Sequence, residues 1–263
     1  MTRMPADQHL DVISTAAAHL AAHAATAGLD AAVPTCPDWT VAHLVAHQGM
    51  VHRWASANLR GADTTTPTLT ELLSTIPAAE LLTWFDDGAA ALLTTLRTVA
   101  PDVDARVFLN DAPAPRDFWA RRQAHETTIH AVDAVAAALG RLPTAAEAAI
   151  DPDVAVDGLD ELLRGFITRG RTRLPAPEPF SIGVRPDDAA VAWLVQVVAD
   201  EPVVTERVPP DALPVAAPGG FDATFSGSAA QLYLGLWNRG TEIAVAGRAD
   251  ALDDWRTAQR ISW

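Results

Sequence analysis

The spacing of apolar residues predicts helices over the first 140 or so positions and a mixed texture beyond them. Residues 6–27 carry Leu10, Ile13, Ala17, Leu20 and Ala21 on one helical face, and Gly28 supplies the stop. A second helix is expected from about residue 40 to 59, closing near Gly61, with Thr40 or Asp38 as its N-cap. The polar loop Asp63-Thr64-Thr65-Thr66-Pro67 follows. A third helical pattern covers about 78–99, opened by Pro77 and stopped by Pro101. An irregular stretch, 103–115, carries Pro113 and Pro115 into a long fourth helix that ends at Gly140. Four long amphipathic helices with modest connections predict an up-down four-helix bundle.

Residues 154–169 read as one more helix closing the first domain, whose expected extent is 1–172. The run from Arg169 to Pro179, rich in Arg, Gly and Pro, has the composition of a linker. Beyond it the β-branched runs 190–198, 202–208 and 221–225 read as strands. Helical patterns at 228–238 and 249–260 flank a further strand, Glu242–Val245. Residues 173–263 are therefore expected to form a small α+β domain, giving a two-domain α+β protein.

The fourth helix holds the densest chemistry. At about 100° per residue, His130 lies roughly 40° around the axis from Glu126, and Asp133 roughly 20° to the other side. Three ionisable groups share a face with Arg122, whereas His125 sits about 140° from His130. The His125…His130 spacing is therefore not that of a zincin, whose histidines are i, i+4. Glu126 and His130 are the i, i+4 pair here, and alone they read as well as a hydrogen-bonded helix pair. His47 supplies a third donor, on the face of Leu44, Val51 and Trp54 that turns into a core. Three side chains from two facing helices are how a bundle builds a metal site, and a catalytic ion takes three protein ligands and keeps one position open. Asp133 reads as a partner of the ligands. A His43/His47/His130 set is the competing arrangement.

Composition narrows the partners. Nineteen basic residues, all Arg, stand against thirty-three Asp plus Glu, a net charge of −14, which argues against nucleic acid or an anionic membrane. The absence of Lys excludes Schiff-base chemistry. The single Cys36 excludes an intrachain disulfide and fits a reducing compartment. No signal-like or membrane-spanning run is evident, so a cytoplasmic location is expected. All eight His lie at or before position 130, so any imidazole site belongs to the first half. His9, His19 and His23 read as helix-surface residues, and His52 and His125 as interfacial or surface ones. Cys36, between Thr35 and Pro37, reads as a buried small residue rather than a reactive thiol. The Trp residues read mostly as core. Arg121 and Arg122 fit either a substrate carboxylate or an ion pair with a bundle acid.

Three spaced motifs carry a resemblance. Cys36-Pro37-Asp38-Trp39-Thr40 with His47 after it, Trp119-Ala120-Arg121-Arg122 with His125-Glu126 and His130, and Gly227-Ser228-Ala229-Ala230-Gln231-Leu232 through Leu236-Trp237-Asn238-Arg239 together resemble the mycothiol-dependent maleylpyruvate isomerase family. The resemblance implies a DinB-like metal-binding bundle followed by a small, sterol-carrier-like α+β domain. It implies His47, Glu126 and His130 as ligands of zinc or another divalent metal, and mycothiol as thiol cofactor. It implies Arg239 as a thiol- or substrate-binding residue; Arg239, together with Arg122 from its place beside the ligands, is expected to serve catalysis by clamping substrate carboxylates. The implied chemistry is thiolate addition to an activated double bond, rotation and elimination, as from maleylpyruvate to fumarylpyruvate, or a related S-transfer. The expected partners are a small thiol and a small, carboxylate-bearing substrate, on a monomer or homo-oligomer. Two positions depart from the family pattern: His43, where an acidic residue is usual, and Gln231, where Asp is expected. Two other readings stay open: a non-catalytic metal-binding sensor or carrier, favoured if His43 saturates the ion, and a thiol-independent metal hydrolase with Glu126 or Asp133 as base.

Overall fold

The structure is a computed structural model and describes residues 4–110, 112–169, 174, 178–198, 201–213 and 222–258. The chain divides into two compact units, one of residues 4–108 with 112–143, the other chiefly 144–263 with 109–111.

The first unit is the expected bundle. Its long helices are α1 (Ala6–Ala27), α2 (Val41–Leu59), α4 (Leu81–Thr98) and α5 (Pro115–Leu139), with a short α3 (Leu69–Thr75) in the second connection. α1 packs along α5 and α4, and α2 along α4 and α5, so α1 and α2, and likewise α4 and α5, lie across the bundle's diagonals, while α2 and α4 are neighbours. The long connections 28–40 and 99–114 permit this crossing, and the first of them passes beside α5. Ile13, Leu20, Leu44, Phe85 and Leu92 fill the interior. Pro115 opens α5 at a position where its missing N–H costs nothing, and Gly140, at φ 67°, ends it in the left-handed conformation.

α5 is buried on every side from Phe118 to Ala137. The single apolar face expected of an amphipathic helix is thus not what covers it. Its polar side chains are all withdrawn from water and must be partnered. Within α2, Gly49 lets the Trp84 ring of α4 lie directly on the backbone, where an added Cβ would overlap that ring. The Arg53 guanidinium, 3.8 Å above the same ring, donates to Trp84 O at 2.6 Å. α3 went unforeseen because Pro67 and its threonines read as loop, although Thr68 and Glu71 form a capping box there.

The second unit starts earlier than the sequence suggests. After α6 (Ala145–Ala148), α7 (Pro152–Asp160) continues into a widened π-type turn, Glu161–Phe166, and a 3₁₀ turn, Ile167–Arg169. α7 packs on α8 (Ala229–Leu236), which assigns 144–169 to the C-terminal unit and sets the division at 143/144 instead of 172/173. Most of the expected linker, 170–173 and 175–177, lies outside the described residues. The unit contains a five-stranded sheet, β1 (Phe180–Pro186), β2 (Ala192–Val197), β3 (Val204–Val208), β4 (Ala223–Gly227) and β5 (Ala244–Gly247), in the order β3-β2-β1-β4-β5. β1 and β4 run parallel and the other pairs antiparallel. The central β1 was missed because Gly183 and Pro186 break its strand signature; Val184 pairs with Trp193 and Phe225 at the middle of the sheet. α8 lies against β1 and β4, and α9 (Ala251–Ala258) brings Trp255 edge-on to Phe225 at 6.4 Å.

Candidate metal centre

α2 and α5 bring His47, Glu126 and His130 together. Their ligand atoms all lie within 4.8 Å of one another, and all three residues are buried. Glu126 Oε1 is 3.6 Å from His130 Nε2 and 3.9 Å from His47 Nε2. Those separations are long for hydrogen bonds. They are close to what one ion requires, since two donors at about 2.0–2.1 Å on a tetrahedral ion lie about 3.3 Å apart. Two imidazole nitrogens and a carboxylate oxygen, all buried, fit a divalent cation of the zinc type.

Each donor is oriented from behind. The Arg122 guanidinium holds Glu126 Oε2 at 2.5 Å, one helical turn away, leaving Oε1 to face both imidazoles. His130 Nδ1 is 2.8 Å from Asp133 Oδ2, a contact that puts the ring proton on Nδ1 and turns Nε2 toward Glu126. Cys36 reaches the same Asp133 oxygen, its Sγ at 3.5 Å. Trp39 covers the imidazoles, its ring centroid 5.0 Å from His47 and 6.3 Å from His130, and the two imidazoles meet edge-on at 5.1 Å.

The electrostatics follow from burial and these partners. Burial alone would push the Glu126 carboxyl up, but the Arg122 charge, helped by both imidazoles, holds it well below the ordinary range. Burial depresses the His47 imidazole. His130 goes the other way, because the carboxylates of Asp133 and Glu126 outweigh its desolvation.

His43 stands outside this group. It occupies the N3 position of α2 in a capping box with Thr40, its Nδ1 accepting from the Thr40 N–H at 3.3 Å. Gln231, the other departure, is the N3 residue of α8, and its Oε1 accepts from the Ser228 N–H at 2.8 Å. Among the described residues no fourth His, Cys, Asp or Glu joins the His47/Glu126/His130 group.

Three histidines expected near the surface are buried: His9, His52 and His125. The ring of His125 meets that of His9 edge-on at 6.1 Å. His52 packs beside Gln48 and Thr127, its Nε2 2.9 Å from the amide nitrogen and 3.0 Å from the hydroxyl. Burial, reinforced by the Arg53 charge, lowers this imidazole to about 3, so it is neutral. The signal was present in the sequence as Gln48 and His52 at i, i+4. Apolar periodicity does not register it, because both residues are polar and are buried by pairing with Thr127 of α5. Cys36 is buried as expected, and Trp119, Trp193, Trp237 and Trp255 are core residues.

Arg239 belongs to the C-terminal unit. The motif Leu236-Trp237-Asn238-Arg239 ends α8 in a Schellman turn: Asn238 is left-handed at φ 61°, its N–H bonds to Gly235 O at 3.2 Å, and the Arg239 N–H bonds to Leu234 O at 2.7 Å. The Arg239 guanidinium is buried and donates to Trp237 O at 2.9 Å.

Fold and site together define a two-domain α+β protein with a candidate metal centre in its N-terminal bundle. The family described as mycothiol maleylpyruvate isomerase N-terminal domain matches residues 10–135, and the MDMPI C-terminal domain matches 153–254. The chain belongs to the mycothiol-dependent maleylpyruvate isomerase family. The solved structure of a mycothiol-dependent maleylpyruvate isomerase superposes with a TM-score of 0.63 at 18% identity, covering 95% of this chain and 98% of that one. A histidine-to-alanine mutant of such an isomerase gives 0.63 at 17% identity, with the same coverage. At these identities the likeness shows the fold. No curated protein matches the chain.

Proposed function

We propose that the protein is a zinc-dependent enzyme that uses mycothiol to isomerise an activated cis double bond in a small carboxylate-bearing substrate, or to transfer sulfur to it. The observation that carries this reading is the buried three-donor set His47, Glu126 and His130, without a fourth protein donor among the described residues. A set of three leaves a coordination position for an exogenous group, which is the arrangement of catalytic rather than structural zinc. When bound there, the ion supplies a Lewis-acid centre at which a thiol is held deprotonated. The family assignment favours mycothiol as that thiol.

The chain's own residues prepare the site. Arg122 fixes the Glu126 carboxylate and keeps it ionised, so no proton has to leave it before a cation enters. Asp133 selects the His130 tautomer. Trp39 and the buried face of α5 keep water from the imidazoles. Because Arg122 is engaged with Glu126, its role here is to position a ligand, with a substrate carboxylate left to another cation. Arg239 is our candidate for thiol or substrate binding, on the strength of its match to the family motif.

His43 caps α2, which removes the proposed fourth ligand and with it the main support for a non-catalytic carrier. The two bases a hydrolase would need are both engaged, Glu126 by Arg122 and Asp133 by His130. The test is turnover of maleylpyruvate and related cis-enoic acids by zinc-loaded protein with and without mycothiol. Thiol-dependent isomerisation or conjugation that falls to background in His47→Ala and Glu126→Gln supports the proposal. Activity retained in either variant contradicts it.

A further inference from the structure

We infer that the Cys36 thiol is a positioning group for the metal-ligand imidazole of His130, acting through Asp133. This inference rests on the metal reading proposed above.

The connection between α1 and α2 is a closed, backbone-bonded turn rather than a loose loop. Ala32 and Thr40 form an antiparallel bridge, and the Val33 N–H bonds to Trp39 O at 3.0 Å. The Cys36 N–H bonds to Val33 O and the Trp39 N–H to Cys36 O, each at 3.0 Å. Val41 and Ala42 tie the base of the turn to Ala31 O and Leu29 O, both at 2.9 Å. Asp38, at φ 74°, takes the left-handed conformation that lets the turn close. A backbone fixed in this way presents two side chains to the metal face of α5: Trp39 over the imidazoles, and Cys36 beneath Asp133.

The contact at Asp133 has a specific form. A single carboxylate oxygen, Oδ2, lies 2.8 Å from His130 Nδ1 and 3.5 Å from Cys36 Sγ, and Asp133 is wholly buried. With Nδ1–H and S–H both donating to that oxygen, the carboxylate cannot turn about χ2 without straining both bonds. The thiol thereby restrains the carboxylate, and the carboxylate restrains the ring whose Nε2 faces Glu126 and His47. Groups that orient a ligand from behind are worth about 10–100-fold in metal affinity when removed. A thiol is a weak donor, so its share is smaller than that of Asp133. Packing alone would ask only for a small apolar side chain here; the sulfur's approach to a charged oxygen is what assigns it a role.

The experiment compares zinc affinities, by competition with a chromogenic chelator, of the full-length chain and its Cys36→Ala, Cys36→Ser, Asp133→Asn and Cys36→Ala/Asp133→Asn variants. Melting of the metal-free proteins is followed in parallel. Asp133→Asn is expected to weaken zinc about 10–100-fold and Cys36→Ala about 3–10-fold. Cys36→Ser, which keeps a donor, is expected to stay within about twofold of the unmodified chain, and Cys36→Ala to add less than about twofold on top of Asp133→Asn. A long-range ¹H–¹⁵N spectrum of the metal-free, unmodified chain, which needs no variant to fold, should show the neutral His130 ring with its proton on Nδ1. Unchanged affinity in Cys36→Ala, equal losses in Cys36→Ala and Cys36→Ser, a Cys36→Ala effect undiminished in the Asp133→Asn background, or a neutral His130 ring protonated on Nε2 would each overturn the inference. Unchanged variants with tight zinc binding by the unmodified chain overturn this inference alone. An unmodified chain that takes up no zinc overturns the proposed function as well.

Discussion

Glu126 is held between a guanidinium and two imidazoles, and its behaviour sets the properties of the site. Removing Arg122 leaves a buried carboxylate without its countercharge, a change that costs about 3–5 kcal/mol in comparable pairs. Arg122→Met is therefore expected to lower the melting temperature of the metal-free protein sharply. Saturating zinc, by returning a positive charge to Glu126, should raise melting more in the variant than in the unmodified chain. Scanning calorimetry with and without zinc checks both, and an equal zinc-induced shift would contradict the assigned role of Arg122. His43 gives the complementary case. As the N3 residue of a capping box its replacement by Glu should preserve stability, its replacement by Ala should cost about 0.5–1.5 kcal/mol for the lost hydrogen bond, and neither should change zinc stoichiometry. Loss of zinc in His43→Glu would return it to the metal shell.

At this scale the sequence was informative where spacing and chemistry coincide. Glu126 and His130 stand one turn apart, and His47 lies on a core-facing stripe of another helix, so spacing alone brings the three to one site. The roles of His43 and Gln231 do not follow from spacing, because both departures from the family pattern fall at N3 of a helix. That is where a side-chain acceptor facing the cap N–H is needed, and an imidazole or an amide serves there as well as a carboxylate does.

Elements carry the next set of consequences. α5 is covered on all sides, and its neighbour α2 contributes His52 to a neutral, buried polar cluster with Gln48 and Thr127. His52 titrates near 3 in the folded protein against 6.5 unfolded. Between those values the unfolded chain binds a proton that the native state does not, so stability falls as pH is lowered through this window. The contribution is up to about 1.4 kcal/mol per pH unit. Urea unfolding at pH 7, 5.5 and 4.5 should show this slope, and His52→Gln should flatten it; a slope unchanged by the substitution would mean that the ring takes up its proton equally in the folded and unfolded states. At the far end of the chain, the left-handed Asn238 sets a similar constraint on α8. Asn238→Gly should be tolerated, whereas Asn238→Val should cost about 1–2 kcal/mol for a β-branched residue in that conformation. Equal melting temperatures would contradict it.

The same elements show where pattern reading loses its grip. Long helices bounded by Pro115, Gly28 and Gly140 were legible to within a residue or two, since their termini need backbone conformations only a few residue types favour. β1 was not, because Gly183 and Pro186 weaken its strand pattern, although Pro186 is its last residue and Gly183 is paired from both sides. The burial of His9, His52 and His125 was hidden for a related reason. Periodicity reports a contrast between apolar and polar faces: α5, which carries His125, offers none, and on α1 and α2 it counts His9 and His52 as polar and so places them outward.

For the whole molecule, the two family matches at 10–135 and 153–254 bracket the division found at 143/144. The apolar residues of α7 continue the helical texture of the first half, which groups it with the bundle in the sequence. It packs on α8 instead, and only the three-dimensional arrangement distinguishes those partners. Among the described residues no helix is long and apolar enough to cross a membrane. The central claim, a bound divalent ion that a small thiol can reach, concerns the intact protein. It is tested most directly by measuring metal content after purification and then titrating mycothiol calorimetrically before and after chelation. The expected result is about one zinc per chain, thiol binding that disappears on chelation, and its return when zinc is restored. A protein that neither contains nor takes up metal, or one whose thiol binding is indifferent to chelation, would contradict it.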